Sequence, residues 1–193
     1  MQWVKKKKLS EYKENIIFVG MNLADYSPGA EPFKNYHSAC IMHNDYLLRD
    51  AIIGTAFEGS YMTDLFQRPC GNAKELKQYY NLHRQELEKD LDDFVKECRE
   101  ITSKEKIIIF IGKGFHCESF QKYAKSNADK LNDFKFKYKN TNEVYSILHH
   151  SPANRCHYKN DEGYITAVRK SLNRIQKEIE CNAVDCEEQY YEK

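Results

Sequence analysis

The chain has 193 residues, of which 41% are hydrophobic and 31% charged, and its formal net charge at pH 7 is +1. This length suits one domain with a sizeable core, and the balanced charge means that any contact with nucleic acid must come from a local basic patch. No apolar run approaches the roughly 20 residues that span a bilayer, and the lysines at 5–8 are not followed by the apolar core of a signal peptide. We therefore expect one cytoplasmic domain over 1–193, with a mobile basic arm at 1–14 and a mobile acidic tail at 186–193.

The seven cysteines are scattered and include no CxxC pair. This spacing argues against a zinc site or an iron–sulfur cluster and favours reduced thiols. Cys181 and Cys186 are close enough in sequence to pair or to share a metal, although two unpaired thiols are the simpler interpretation. We expect neither a metal nor a cofactor.

The first predicted strand is the apolar run Ile16-Ile17-Phe18-Val19, which is typical of a strand buried on both faces of a parallel sheet. It leads into Gly20-Met21-Asn22, where the glycine permits a sharp turn. Ligands of open α/β sheets bind beyond the carboxyl ends of the strands, so Asn22 is expected at that edge. The long loop over 23–44 predicts either a functional or a disordered segment.

A short helix is predicted over 45–53, followed by a second strand over 60–66 that carries Asp64 near its end. Residues 68–71 break this strand. Asn72 and Glu75 form a capping-box pattern, which predicts one long helix reaching to about residue 100. Its buried face is predicted to consist of Leu76, Tyr80, Leu87, Leu91, Phe94, Val95 and Cys98.

The third strand is predicted over 106–111 and is closed by Gly112-Lys113-Gly114, with a helix from about Ser119. A fourth strand over 142–148 ends in His149-His150-Ser151-Pro152. Asp161 is expected to cap the last helix, whose buried stripe would be Ile165, Val168, Leu172, Ile175 and Ile179. Alternating strands and helices predict a three-layer αβα fold with a four-stranded, mainly parallel sheet.

Two strand ends carry polar motifs that resemble those of the uracil-DNA glycosylase superfamily. In that family a G-x-N or G-x-D motif follows the first strand, as in Gly20-Met21-Asn22, and an H-x-S-P motif follows the last, as in His149-His150-Ser151-Pro152. The resemblance covers roughly residues 15–175. It implies a uracil-DNA glycosylase-like fold and a monofunctional DNA glycosylase, which hydrolyses the N-glycosidic bond of a flipped, damaged or deaminated base.

The resemblance assigns catalytic roles to Asn22 and His149. An amide has no ionisable group near neutral pH, so Asn22 can position and polarise the attacking water but cannot act as a general base. His149 would donate a hydrogen bond to the departing base and stabilise its negative charge. Without His149 the simpler interpretation of Asn22 is that of a turn residue.

The base pocket implied by the resemblance comprises Gly20, Met21, Phe33 and Asp64. Phe33 would stack on the flipped base, or else be a core aromatic beneath its loop. Asp64 stands where the family commonly has an asparagine, and an ionised carboxylate only accepts hydrogen bonds. The identity of the base therefore stays open, and Asp64 is equally well explained as a residue that caps a neighbouring loop.

DNA contacts are expected from the loop after His149 and from the glycine-rich turn at 112–114, before the helix that follows the third strand. Hydroxyl, backbone and guanidinium groups of the loop are ordinary phosphate donors, and Lys113 lies where a helix N-terminus can hold a phosphate. Ala153 is too small to fill the gap left by a flipped base. The predicted DNA-binding residues are Lys113, Ser151, Pro152, Asn154 and Arg155.

Two other functions remain compatible with the sequence. The first is a nucleic-acid or nucleotide-binding protein that keeps the fold but has weak or no catalytic activity, and the second is a hydrolase of free nucleosides. For the glycosylase we expect a monomer that acts on DNA containing a modified base and leaves the strand uncut, because no motif provides a lysine for a Schiff base.

Overall fold

The computed structural model of the protein describes residues 13–22, 44–136, 143–150, 158 and 160–188. The expectations for the basic arm, the loop over 23–44 and the acidic tail fall mostly outside these residues. Two details differ from them. The first strand begins at Lys13, inside the predicted arm, and the last helix continues to Glu188, past the predicted start of the tail.

Strands and helices alternate along the chain, with a short 3₁₀ turn at Ala128–Lys130. The strands are β1 (Lys13–Asn22), β2 (Ser60–Phe66), β3 (Lys106–Ile111), β4 (Phe134–Lys135) and β5 (Ser146–Ile147). The helices are α1 (Asp45–Ile52), α2 (Ala73–Leu82), α3 (Arg84–Ile101), α4 (Phe115–Ser126) and α5 (Asp161–Glu188).

The sheet is parallel at every described pairing and runs in the order β2-β1-β3, with β4 and β5 both paired to β3. Phe18 is in register with Met62 on one side and with Ile109 on the other. Since β1 occupies one edge of β3, β4 and β5 share the opposite edge, β4 at its beginning and β5 at its end. The predicted four strands are therefore five among the described residues, because two short strands fill the fourth position.

The two faces of the sheet carry separate cores, which makes the fold a three-layer αβα arrangement. Ile17 and Val19 point into the cluster formed with α2, α3 and α4, whereas Phe18 points into the cluster formed with α1 and α5. All three side chains are 0% exposed. Because both faces are covered, the strand must be apolar throughout, which is why its sequence does not alternate.

The single helix predicted over 72–100 is broken at His83 into α2 and α3. The backbone leaves the helical region at His83, where φ is −118° and ψ is 65°. The hydroxyl groups of Tyr79 and Tyr80 on α2 donate to Glu86 and Asp90 on α3, which ties the two helices together. The predicted buried face is confirmed, because all seven of its residues are buried. The Asn72 cap is also confirmed, because the Asn72 Oδ1 accepts hydrogen bonds from the backbone N–H groups of Lys74 and Glu75.

Two helix starts differ from the prediction. Helix α4 begins at Phe115 rather than near Ser119, because Gly112 takes a positive φ of 85° and turns the chain at once. Helix α5 is capped by Asn160, whose Oδ1 accepts from the backbone N–H of Gly163 at 2.9 Å. Asp161 instead accepts a hydrogen bond from the Tyr46 hydroxyl at 2.8 Å and so links α5 to α1. In the described part of the chain, no helix combines the length and the apolar composition needed to cross a bilayer.

Candidate functional site at the carboxyl edge of the sheet

The carboxyl ends of β1, β3 and β5 meet at one edge of the sheet. Val19 is in register with Phe110, and Ile111 with Ile147, so the three strands end at nearly the same level. The chain passes from β1 to β2 on one side and then places β3 on the other side of β1. Such a reversal of strand order opens a crevice at the strand ends, which is the usual ligand site of open α/β sheets.

Gly112 determines how His149 sits at this edge. A Cβ added at Gly112 would lie 3.1 Å from the Cβ of His149, and the backbone N–H of Gly112 donates to the carbonyl of Ile147 at 2.8 Å. The His149 ring is half-buried and stacks on His150 with a centroid separation of 4.5 Å and an angle of 12°. The glycine therefore lets the imidazole lie directly against the end of β3.

Asn22 ties the end of β1 to the loop that follows β2. Its Nδ2 donates to the carbonyl oxygen of Cys70 at 2.7 Å and approaches that of Arg68 at 3.4 Å. These bonds give the side chain a structural role. They also fix the plane of the amide at the carboxyl edge. The predicted turn at Gly20 is wrong, because β1 continues through Gly20 to Asn22, which is in register with Phe66 of β2.

Asn22 ends β1 and His149 follows β5 by two residues, so both lie at the carboxyl edge, on either side of β3 in the strand order. Both side chains are half-buried, so neither is sealed inside the core. Two residues far apart in sequence thus lie at the same edge of the sheet.

Three of the four predicted base-pocket residues lie in the described part of the chain. Gly20 is in register with Asp64 on the neighbouring strand, and Asp64 is only 5% exposed. Met21 packs against the core that contains α2, α3 and α4. Phe33 lies outside the described residues.

Of the predicted DNA-binding residues, Lys113 is exposed at the turn between β3 and α4. The other four, Ser151, Pro152, Asn154 and Arg155, lie outside the described residues. The structure therefore places one basic group at the carboxyl edge, next to the turn against which His149 packs.

A further histidine, His116, lies in the first turn of α4, near this edge. It is 3% exposed, and its Nδ1 has no hydrogen-bond partner among the described residues. Burial lowers the pKa of His116 to about 4, and burial raises the pKa of the neighbouring Cys117 thiol to about 11. Both groups are therefore neutral at pH 7, and Cys117 is not a thiolate nucleophile.

A cavity of about 650 Å³ opens beside the loop that Asn22 holds. The sequence did not predict this cavity, because residues 68–71 were interpreted only as the end of a strand. The signal that could have found it is an arginine in the loop followed by an aromatic residue on the next helix. The cavity is lined by Arg68, Pro69, Cys70, Gly71, Asn72, Glu75, Leu76 and Tyr79.

Metal-binding groups are not assembled in the described part of the chain, where no cluster of three or more histidine, cysteine or acidic side chains is suited to hold an ion. Cys181 is an exposed free thiol, and the side chain of Cys186 lies outside the description. The possible pairing of these two cysteines thus stays a prediction.

Comparisons with known proteins do not assign a family to the chain. No protein-family model matches it, and a search of curated proteins gives no match. Its function is therefore inferred from the two motifs and from the geometry of the carboxyl edge.

Proposed function

We propose that this chain is a monofunctional DNA glycosylase with a uracil-DNA glycosylase-like version of the αβα fold. The observation that carries the proposal is the position of Asn22 and His149, which flank the Gly112 turn at one sheet edge. Water-mediated cleavage of a glycosidic bond needs one group to hold the water and another to contact the leaving base, and two polar side chains at one sheet edge support this division of roles. A monomeric, cytoplasmic enzyme without metal or cofactor completes the proposal.

Asn22 would orient the attacking water. Its Nδ2 is engaged by the loop carbonyls, so the amide plane is held and its Oδ1 has a defined direction from which to accept a hydrogen bond from water. The amide polarises the water but takes no proton near neutral pH. Most of the barrier must therefore be lowered by positioning and by stabilising the departing base.

His149 would donate a hydrogen bond to the base as negative charge develops on it. A half-buried imidazole packed against backbone is a preorganised donor, and removing one such donor typically costs 10²–10³ in kcat. The packing of His149 on Gly112 supports this role, because it restricts where the ring can lie.

The buried Asp64 carboxylate would contact the flipped base. As an ionised group it accepts but does not donate, so it favours a base that presents an N–H or an amino group. Phe33 would stack on that base. Lys113, with Ser151, Pro152, Asn154 and Arg155, would hold the flanking phosphates and offset the few kcal/mol needed to flip a nucleotide.

The proposal is tested with oligonucleotides that each contain uracil, hypoxanthine, xanthine or a mismatched thymine, assayed for alkali-labile sites. We expect release of at least one base, with the rate lowered about 100-fold or more by Asn22→Ala and by His149→Ala. Asn173→Ala, a change of an exposed asparagine on α5, is the matched control and keeps the activity. Absence of release from every lesion, or release that survives both substitutions, would contradict the proposal.

A non-catalytic nucleic-acid-binding protein is the second candidate. It is favoured by the hydrogen bonds from Asn22 to the loop, which explain the asparagine without any catalytic role. This function predicts binding of oligonucleotides without base release, and binding that His149→Ala leaves unchanged. Salt-dependent affinity alone does not separate the two functions, so base release is the deciding measurement.

A further inference from the structure

Three flat side chains form a stack beside the cavity near Asn22. The guanidinium carbon of Arg68 lies 3.7 Å from the centre of the Tyr79 ring, and the His83 ring stacks on Tyr79 at 4.1 Å with an angle of 18°. At these separations two groups cannot share one face of a ring. Arg68 and His83 therefore cover opposite faces of Tyr79, and we call the three residues the stacking column.

The column is held from several sides. The Tyr79 hydroxyl donates to Glu86, and the His83 Nδ1 lies 2.9 Å from the Tyr79 carbonyl oxygen. The backbone of Arg68 is approached by Asn22. The stacking column is thus fixed relative to the same amide that the proposed function uses.

The guanidinium of Arg68 is exposed, and nothing in the described part of the chain engages it in a hydrogen bond or an ion pair. It carries five N–H donors in a plane. One face of that plane lies on Tyr79, while the donors along its edge have no partner among the described residues. Such a group can bind a phosphate in a bidentate manner and can stack a base on its outer face.

The adjoining cavity has the size and lining for such a ligand. Its volume of about 650 Å³ lies within the range of small-molecule sites. Its walls combine the Arg68 charge and the edge of Tyr79 with polar groups of Asn72 and Glu75. A cation–π contact alone would explain why Arg68 lies on Tyr79, but it would not require an open polar cavity beside it.

We propose that this cavity binds the nucleotide next to the excised one, with its phosphate on the edge of the Arg68 guanidinium and its base stacked on the outer face of the stacking column. The inference rests on the proposed function, because it takes a DNA strand as the ligand. A base stacked on Arg68 has left the stack of a duplex. The substrate is therefore a single strand, or a duplex opened locally around the lesion.

The test uses the full chain and a single-stranded oligonucleotide without a lesion, with binding followed by fluorescence anisotropy over a range of NaCl concentrations. We expect Arg68→Ala to weaken binding about five- to tenfold, the effect of losing one base stack or phosphate contact. The salt slope should fall by about 0.7, the value for one phosphate of a single strand. Arg174→Ala removes an exposed arginine from α5, in the opposite helical layer, and is expected to change neither quantity.

A second variant separates charge from stacking. Arg68→Lys keeps the charge but not the planar group, so it should restore the salt slope. It should not restore the tighter binding of an oligonucleotide that carries bases over one built from abasic analogues, a difference that we expect in the wild type and not in Arg68→Ala. An equal difference in the wild type and in Arg68→Lys would overturn the stacking role.

Other outcomes are equally decisive. If Arg68→Ala binds the oligonucleotide with the same affinity and salt slope as the wild type, the inference is overturned, even if base release depends on Asn22 and His149. Arg68-dependent binding of a free deoxynucleotide, without binding of the oligonucleotide, would also overturn it. Conversely, Arg68-dependent strand binding without any base release would support this site while contradicting the glycosylase.

Discussion

Gly112 and His149 are in contact at the carboxyl edge of the sheet, where a Cβ on the glycine would lie 3.1 Å from the Cβ of the histidine. Gly112 also has a φ of 85°, a backbone conformation that residues other than glycine rarely adopt. The backbone turn after β3 and the position of the proposed catalytic imidazole are therefore set by the same residue.

Gly112→Ala is expected to displace His149 and to strain the turn. The expected result is a loss of about 1–2 kcal/mol of stability from the backbone, with a fall in kcat for base release that is larger than the change in KM. Thermal unfolding and steady-state kinetics measure the two effects. Gly59→Ala is the matched control, since Gly59 has a φ of 84° and nothing lies within 4 Å of an added Cβ. An equal loss of kcat in both variants would contradict the role of the contact.

The ion pair of the buried lysine of β3 makes the free energy of unfolding depend on pH. Lys106 is 2% exposed, and its Nζ lies 2.8 Å from the Asp133 carboxylate. Burial by itself would raise the pKa of Asp133, but hydrogen bonds and positive charge from Lys106 and Arg99 outweigh it, so this pKa lies below its usual range. The folded pKa is the lower one, so the contribution is present at neutral pH and is lost as the pH falls below about 4.

Asp133→Asn should therefore be most destabilising at neutral pH. Removing the carboxylate takes away the ion pair with the buried Lys106, and because Asp133 is itself partly exposed, the expected loss at pH 7 is about 1–3 kcal/mol. The difference from the wild type should shrink as the pH falls below about 4, as followed by urea denaturation at each pH. Asp93→Asn, which breaks the exposed pair with Lys89, should cost at most about 0.5 kcal/mol. A constant difference across the pH range would contradict the linkage.

Arg169 of α5 closes the carboxyl end of α1. Its guanidinium donates to the carbonyl oxygens of Asp50, Ala51 and Ile53 at 2.9, 3.3 and 3.1 Å. These are carbonyls that a helix end leaves without an internal partner, and positive charge is favourable there. Arg169→Met is expected to lower the free energy of unfolding by about 1–3 kcal/mol, whereas Arg174→Met on the same helix should change it by less than about 0.5 kcal/mol. Similar losses in the two variants would show that the carbonyl contacts contribute little.

Buried cysteines should react more slowly than exposed ones. Burial raises the pKa of the Cys117 thiol to about 11 and also raises that of Cys98, while Cys181 is exposed. At pH 7.5 we expect iodoacetamide to modify Cys181 much faster than Cys98 and Cys117, because the thiolate is the reactive form. Peptide mass mapping of the native protein gives the relative rates, and unfolding in urea should abolish the difference. Rapid labelling of Cys117 in the native state would contradict its burial.

Much of the secondary structure follows from local patterns. The apolar runs of β1 and β3 and the seven buried residues of α2 and α3 are where the sequence predicts them, since periodicity reports which faces are covered. The break at His83 was not predictable in this way. The two helices are joined across the break by the hydrogen bonds of Tyr79 and Tyr80 to Glu86 and Asp90, and the buried-face pattern continues through it.

The candidate site, too, follows partly from local sequence and partly from tertiary structure. Sequence motifs alone direct attention to Asn22 and His149, because their residue types and their positions after predicted strands are local information. Only the tertiary structure decides that both flank the Gly112 turn, that Asn22 also binds the loop after β2, and that Arg68 and Tyr79 stack beside it. These contacts join residues that are brought together by strand order and side-chain packing. Strand order and packing depend on the whole chain, so no short segment predicts them.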